Sequence, residues 1–124
     1  MTLAIDLGPT HATNPLWARH ARFHVVWQSV GAFLLCAAEV ALLWWPGPLE
    51  AERFYLAAGL TLLPFLAFLG ALAGMRSYGG ALSDPNGMPR ARVRFFGTVH
   101  YLDMNVVAIV AGLFVLCGAV ALYK

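Results

Sequence analysis

The chain has 124 residues, of which 60% are hydrophobic and 11% carry a formal charge; ordinary soluble domains carry about 25% charge, so a soluble globular domain is excluded. The net charge of +2 comes from basic residues that flank apolar runs and form no aromatic-interleaved basic surface, which argues against a nucleic-acid partner. A helix needs roughly 20 apolar residues at 1.5 Å each to cross a hydrocarbon core of about 30 Å. Three such runs are present, and they predict an all-α membrane protein with three transmembrane helices in a single membrane domain, 1–124.

Taken in chain order, Met1 to Trp17 mixes polar and apolar residues, and Pro9, Asn14 and Pro15 break any long helix. An irregular or interfacial lead-in is expected. Met1 to Leu16 lacks the basic start, apolar core and small-residue cleavage site of a signal peptide, so the first span is expected to act as its own signal anchor. That span runs over about 18–45, with Trp44 and Trp45 at headgroup level and Pro46-Gly47-Pro48 forcing a stop. The second span, about 52–74, follows a short connection and contains Pro64, a potential kink. Gly70 and Gly74 form a GxxxG pair, a spacing that lets another helix approach closely in lipid and invites an oligomer. Arg76 to Phe96 reads as a basic loop, with Gly79-Gly80, the turn sequence Asp84-Pro85-Asn86-Gly87 and alternating Arg90, Arg92 and Arg94. The third span is expected over about 97–123. Cys36 and Cys117 lie in apolar spans without CxxC spacing and read as small apolar residues.

Orientation follows from the positive residues. Arg19, Arg22, Arg76, Arg90, Arg92 and Arg94 fall on one face and Arg53 and Lys124 on the other. The positive-inside rule then places the N-terminus and the basic loop in the cytoplasm and the C-terminus outside.

Polar groups that hydrocarbon should exclude mark the candidate site. His20 and His24, spaced i, i+4, share a helical face at the start of the first span. At 3.6 residues per turn, His24, Gln28 and Glu39 fall within about 60° of one another, a stripe expected to face a helix or cavity. Glu39 should either pair with Arg53 or Tyr55, or serve as a buried proton carrier. If the third span begins near Gly97, then His100 and Asp103 are i, i+3 neighbours and Tyr101 and Asn105 are i, i+4 neighbours. All four histidines could then converge in one layer near the cytoplasmic interface. Three chemistries fit such a layer. Neutral imidazoles with a carboxylate suit a metal or haem, His with Asp moves protons on a lipophilic substrate, and His with Arg binds phosphate headgroups. The residues identify no cofactor.

The segment His11 to His24, H-x-x-N-P-x-W-x-x-H-A-R-F-H, resembles the N-terminal signature of a family of small bacterial and fungal membrane proteins of unknown function, with Ala18-Arg19 where the family pattern has Pro-Pro. The resemblance implies that His11, Asn14, Trp17, His20 and His24 form one functional unit, and it implies no reaction. The expected function is binding or transformation of a small lipophilic molecule at a His-lined cytoplasmic end. His20, His24, His100 and Asp103 would be the acid–base or anchoring groups, Asn14 and Gln28 the orienting groups, and Arg22 an anion contact. His11, Trp17, Tyr101 and Asn105 complete the expected binding set. The alternatives are a non-catalytic subunit of a larger membrane complex, and proton or metal handling along the stripe that holds Glu39.

Overall fold

The computed structural model describes residues 3–123. Lys124, one of the two positive residues on the sparse face, lies outside the described residues. Six elements follow in order: α1 (Leu3–Asp6), α2 (Arg19–Trp44), α3 (Glu50–Gly74), β1 (Ala91–Phe95), β2 (Thr98–Leu102) and α4 (Met104–Leu122). Helices α2, α3 and α4, of 26, 25 and 19 residues, are long and apolar enough to cross a membrane. The shortest of them still reaches about 29 Å at 1.5 Å per residue. The protein is therefore a largely helical membrane protein with three spanning segments, and its polar connections carry the remaining structure.

Local chemistry sets the helix ends. Trp45-Pro46 follows α2, and a proline there cannot continue the helical hydrogen bonding. The turn into α3 places Gly47 and Leu49 at positive φ, 119° and 68°. Arg53, one turn into α3, donates to the carbonyls of Gly47 and Pro48 and closes that turn. Glu50 and Glu52 lie in the first turn of α3, where carboxylates complement the helix dipole. Helix α3 passes through Pro64 without interruption. At its far end Ser77 Oγ donates to the Gly74 carbonyl at 2.7 Å and Tyr78 Oη to the Ala71 carbonyl at 2.9 Å, which satisfies acceptors that the helix itself leaves free.

The third span differs from the sequence expectation. Its helix starts at Met104, and residues 98–102 form a strand paired antiparallel with 91–95, from Ala91↔Leu102 to Phe95↔Thr98. His100 and Tyr101 are thus strand residues, so the helical spacings assumed for them with Asp103 and Asn105 do not apply. The physical reason lies in Asp103, whose Oδ1 accepts the backbone N–H groups of Asn105 at 3.0 Å and Val106 at 3.4 Å. That is an N-cap, and it fixes the helix start there. The lead-in is one helical turn followed by successive turns, close to the irregular segment expected.

The chain divides into two compact units. The first comprises Met1–Gly31 and Gly80–Ala108, the second Ala32–Gly79 and Ile109–Lys124. In the second unit Gly112 lies where an added Cβ would come within 2.6 Å of the Phe65 ring, so α4 is close to α3 at this point. The same unit stacks Phe54 on Tyr123 with ring centroids 3.8 Å apart. Gly70, by contrast, has open space around it, so the GxxxG pair does not seat a helix of this chain. Burial is inverted relative to a soluble protein. The buried described residues are Val25, Ala57, Asp6, Asn14 and Ser29, three of them polar, while large apolar side chains cover the spans.

Candidate functional site

All eleven residues of the expected acid–base and binding set belong to the first unit, whereas Glu39 and Arg53 belong to the second. Within the first unit they separate into a structural part and a chemically open part. Asn14, only 3% exposed, accepts the Leu16 N–H on its Oδ1 at 3.0 Å and donates through Nδ2 to the Asn86 carbonyl. Asn86 sits in the Asp84–Gly87 turn, where Asp84 Oδ1 accepts the Asn86 N–H at 2.8 Å and the Gly87 N–H bonds to the Asp84 carbonyl at 3.0 Å. Gly87 is required: a Cβ there would lie 3.1 Å from the Thr10 carbonyl and 3.6 Å from the Trp17 ring. His11 meets Trp17 edge to face at 5.1 Å, and its Nδ1 is 2.9 Å from Thr10 Oγ1. The H-x-x-N-P-x-W half of the motif therefore stitches the lead-in to the loop between α3 and β1. Its polar groups are largely spent on that task.

The H-A-R-F-H half is different. His20 and His24 begin α2 with their Nε2 atoms 3.0 Å apart and their rings nearly perpendicular, centroids 4.4 Å apart. One nitrogen must then carry a proton and the other present a lone pair. His20 is exposed and His24 half-buried. Phe23 and Trp27 flank His24, with ring centroids at 6.0 and 5.8 Å. Arg22 is half-buried and its Nε has no hydrogen-bond partner among the described residues. Gln28 is exposed, so the stripe from His24 to Glu39 is interrupted by a residue open to the surroundings.

His100 is exposed in β2 opposite Val93, and Tyr101 is exposed opposite Arg92. Asp103 serves as the α4 cap, and Asn105 Nδ2 donates to the Leu82 carbonyl at 3.4 Å. Among the described residues no group of three or more His, Cys, Asp or Glu is arranged to hold a metal ion. In the second unit Arg53 is turned to the carbonyls of its own turn. Glu39 Oε1 is enclosed with no hydrogen-bond partner among the described residues. The pair expected between them is not made.

The sequence reading passed over one buried polar contact. Asp6, 5% exposed, accepts Ser29 Oγ at 3.3 Å, while Ser29, 4% exposed, also bonds to the Val25 carbonyl at 2.8 Å. This contact ties the lead-in to α2. The available signal was an acidic residue set between Ile5 and Leu7, the same signal that singled out Glu39. Compared with known proteins, the chain matches no family model, no curated relative and no solved structure.

Proposed function

We propose that this protein binds, and through proton transfer transforms, a small lipophilic molecule beside His20 and His24, with the N-terminus and the β1–β2 segment on the cytoplasmic side. The observation that carries the reading is the imidazole pair itself. Two rings sharing one proton at 3.0 Å can deliver it to a ligand at one nitrogen and recover it at the other, the arrangement general acid–base chemistry needs. Phe23 and Trp27, 63% and 62% exposed, supply apolar surface beside the pair for a ligand arriving from lipid. Arg22 would hold an anionic group of that ligand, and His100 and Tyr101 would extend the binding surface on β2.

The orientation within this proposal rests on the arginine distribution and gains support from the Asn14 to Asn86 contact, which needs the lead-in and the loop before β1 on one membrane face. A second reading, a subunit of a larger complex or homo-oligomer, is favoured by one observation. Gly70, the first glycine of the Gly70–Gly74 pair on α3, has open space around it, and a helix of a neighbouring subunit could pack there.

The test is extraction of the protein in mild detergent followed by mass spectrometry of the bound organic fraction, for the wild type and for His20→Ala and His24→Ala. Bound lipophilic material in the wild type and its loss in both variants, with helix content unchanged by circular dichroism, supports the proposal. Material retained at full occupancy in the variants, or absent from the wild type, overturns it.

A further inference from the structure

The β1–β2 hairpin has two dissimilar faces. Side chains alternate along a strand, and the register pairs Val93 with His100 and Arg92 with Tyr101. Ala91, Val93 and Phe95 therefore share one face with Leu102, His100 and Thr98, while Arg92 and Arg94 share the other with Tyr101 and Val99. On the first face Val93, Phe95 and Leu102 are 39%, 63% and 41% exposed. A two-stranded hairpin is at best marginally stable in water without cover for its apolar face, and among the described residues this face is left more than a third exposed at each of these three positions.

The tip adds a separate observation. The two-residue connection Phe96-Gly97 has φ of 46° and 78°, the positive-φ pair of a type I′ turn, a position dominated by Asn, Asp and Gly. A bulky residue in left-handed backbone is strained. Here it is a phenylalanine that is 92% exposed, so the strain holds an aromatic ring at the outermost point of the hairpin. The Phe95 and Phe96 rings meet edge to face at 4.5 Å, which makes a double aromatic tip. Leu102 is separated from α4 by Asp103 alone, so the hairpin is tethered at the entry point of a spanning helix. Five residues at about 3.3 Å each keep its tip within roughly 17 Å of that point.

We infer that the β1–β2 hairpin is a membrane-surface wedge: Phe95 and Phe96 insert among the acyl chains of the adjoining leaflet, and Arg92 and Arg94 bind the phosphates of anionic lipid headgroups. The one-residue tether to a spanning helix and the exposed ring at the tip identify the occupant as the lipid interface, entered tip first so that the arginine face meets the headgroups while the apolar face meets the acyl chains. The inference is independent of the proposed histidine chemistry. Aromatic rings favour the interfacial layer, and basic residues close to an anionic leaflet are attracted to it.

The test uses the full chain in nanodiscs, with Cys36→Ser and Cys117→Ser removing the native thiols and a nitroxide at Thr98→Cys, one position from the tip. In discs containing anionic lipid, collision with a water-soluble nickel chelate should be lost while collision with oxygen persists. Chelate access should return in Phe96→Asn. That variant is informative because asparagine suits the left-handed position better than phenylalanine, so the turn is kept and only the ring is removed. Access should also return in the Arg92→Gln/Arg94→Gln double variant and in discs of zwitterionic lipid alone. A nitroxide open to the chelate in every lipid overturns the inference, as does shielding from both reagents, which marks protein cover. Shielding unchanged in Phe96→Asn and the arginine variant overturns it as well.

Discussion

Glu39 is the acidic residue set furthest inside a spanning helix, five residues before the end of α2, where an ionised carboxylate is costly unless paired or hydrogen-bonded. Its position on α2 was legible from the sequence, and its expected partner was not. Arg53 reaches the carbonyls of Gly47 and Pro48 because Gly47 and Leu49 adopt positive φ. No pattern of residue types reveals that backbone detail. The consequence is an ordering of variants. Arg53→Leu should destabilise the protein by about 1.5–3 kcal/mol, the range for hydrogen bonds from a charged group, and Glu39→Gln should leave stability nearly unchanged, both measured by unfolding in mixed detergent micelles. A loss in Glu39→Gln as large as that in Arg53→Leu would show that Glu39 does have a partner. Asn14 was legible in another sense. The motif marked it as important, while its role as a stitch to Asn86 required the fold.

At the level of elements, the three spanning helices could be read directly because length and apolarity suffice to specify them. The hairpin could have been read as well. Ala91-Arg92-Val93-Arg94-Phe95 alternates with period two, a strand signature, yet the same arginines read as a basic loop when counted only for charge. Assigning Thr98 to Leu102 to the helix start followed from that choice, and Asp103 is the boundary that corrects it. One close approach of helices went unread. Gly70 and Gly74 drew attention as a pair, whereas Gly112 meets Phe65 in the structure, a glycine whose only spacing signal is the weaker small-residue pair with Ala108. Gly112→Val should therefore cost about 1–3 kcal/mol through overpacking. Adding Phe65→Leu should restore part of that loss in a double-mutant cycle. Equal losses with and without Phe65→Leu would show that the ring is not what the new side chain meets.

For the whole molecule, the orientation proposed above predicts a cytoplasmic segment between α3 and α4 and a C-terminus outside. A reporter active only outside the cytoplasm should give signal when fused at the C-terminus and none when inserted at Gly79-Gly80. The reverse pattern would invert the orientation, and signal at both sites or at neither would exclude α4 as a span. The Asn14 to Asn86 contact carries a further consequence for biosynthesis. Its partners are 72 positions apart, with α2 and α3 between them in the chain. The lead-in leaves the ribosome first, yet the groups that bury Asn14 and seat Trp17 are synthesised only after two helices have been made. Until then the amino-terminal segment has to wait, unstitched, on the face of the membrane where Asn86 will emerge. The contact can therefore form only after α3 has been synthesised, and a chain cut short before Asn86 leaves Asn14 without this partner.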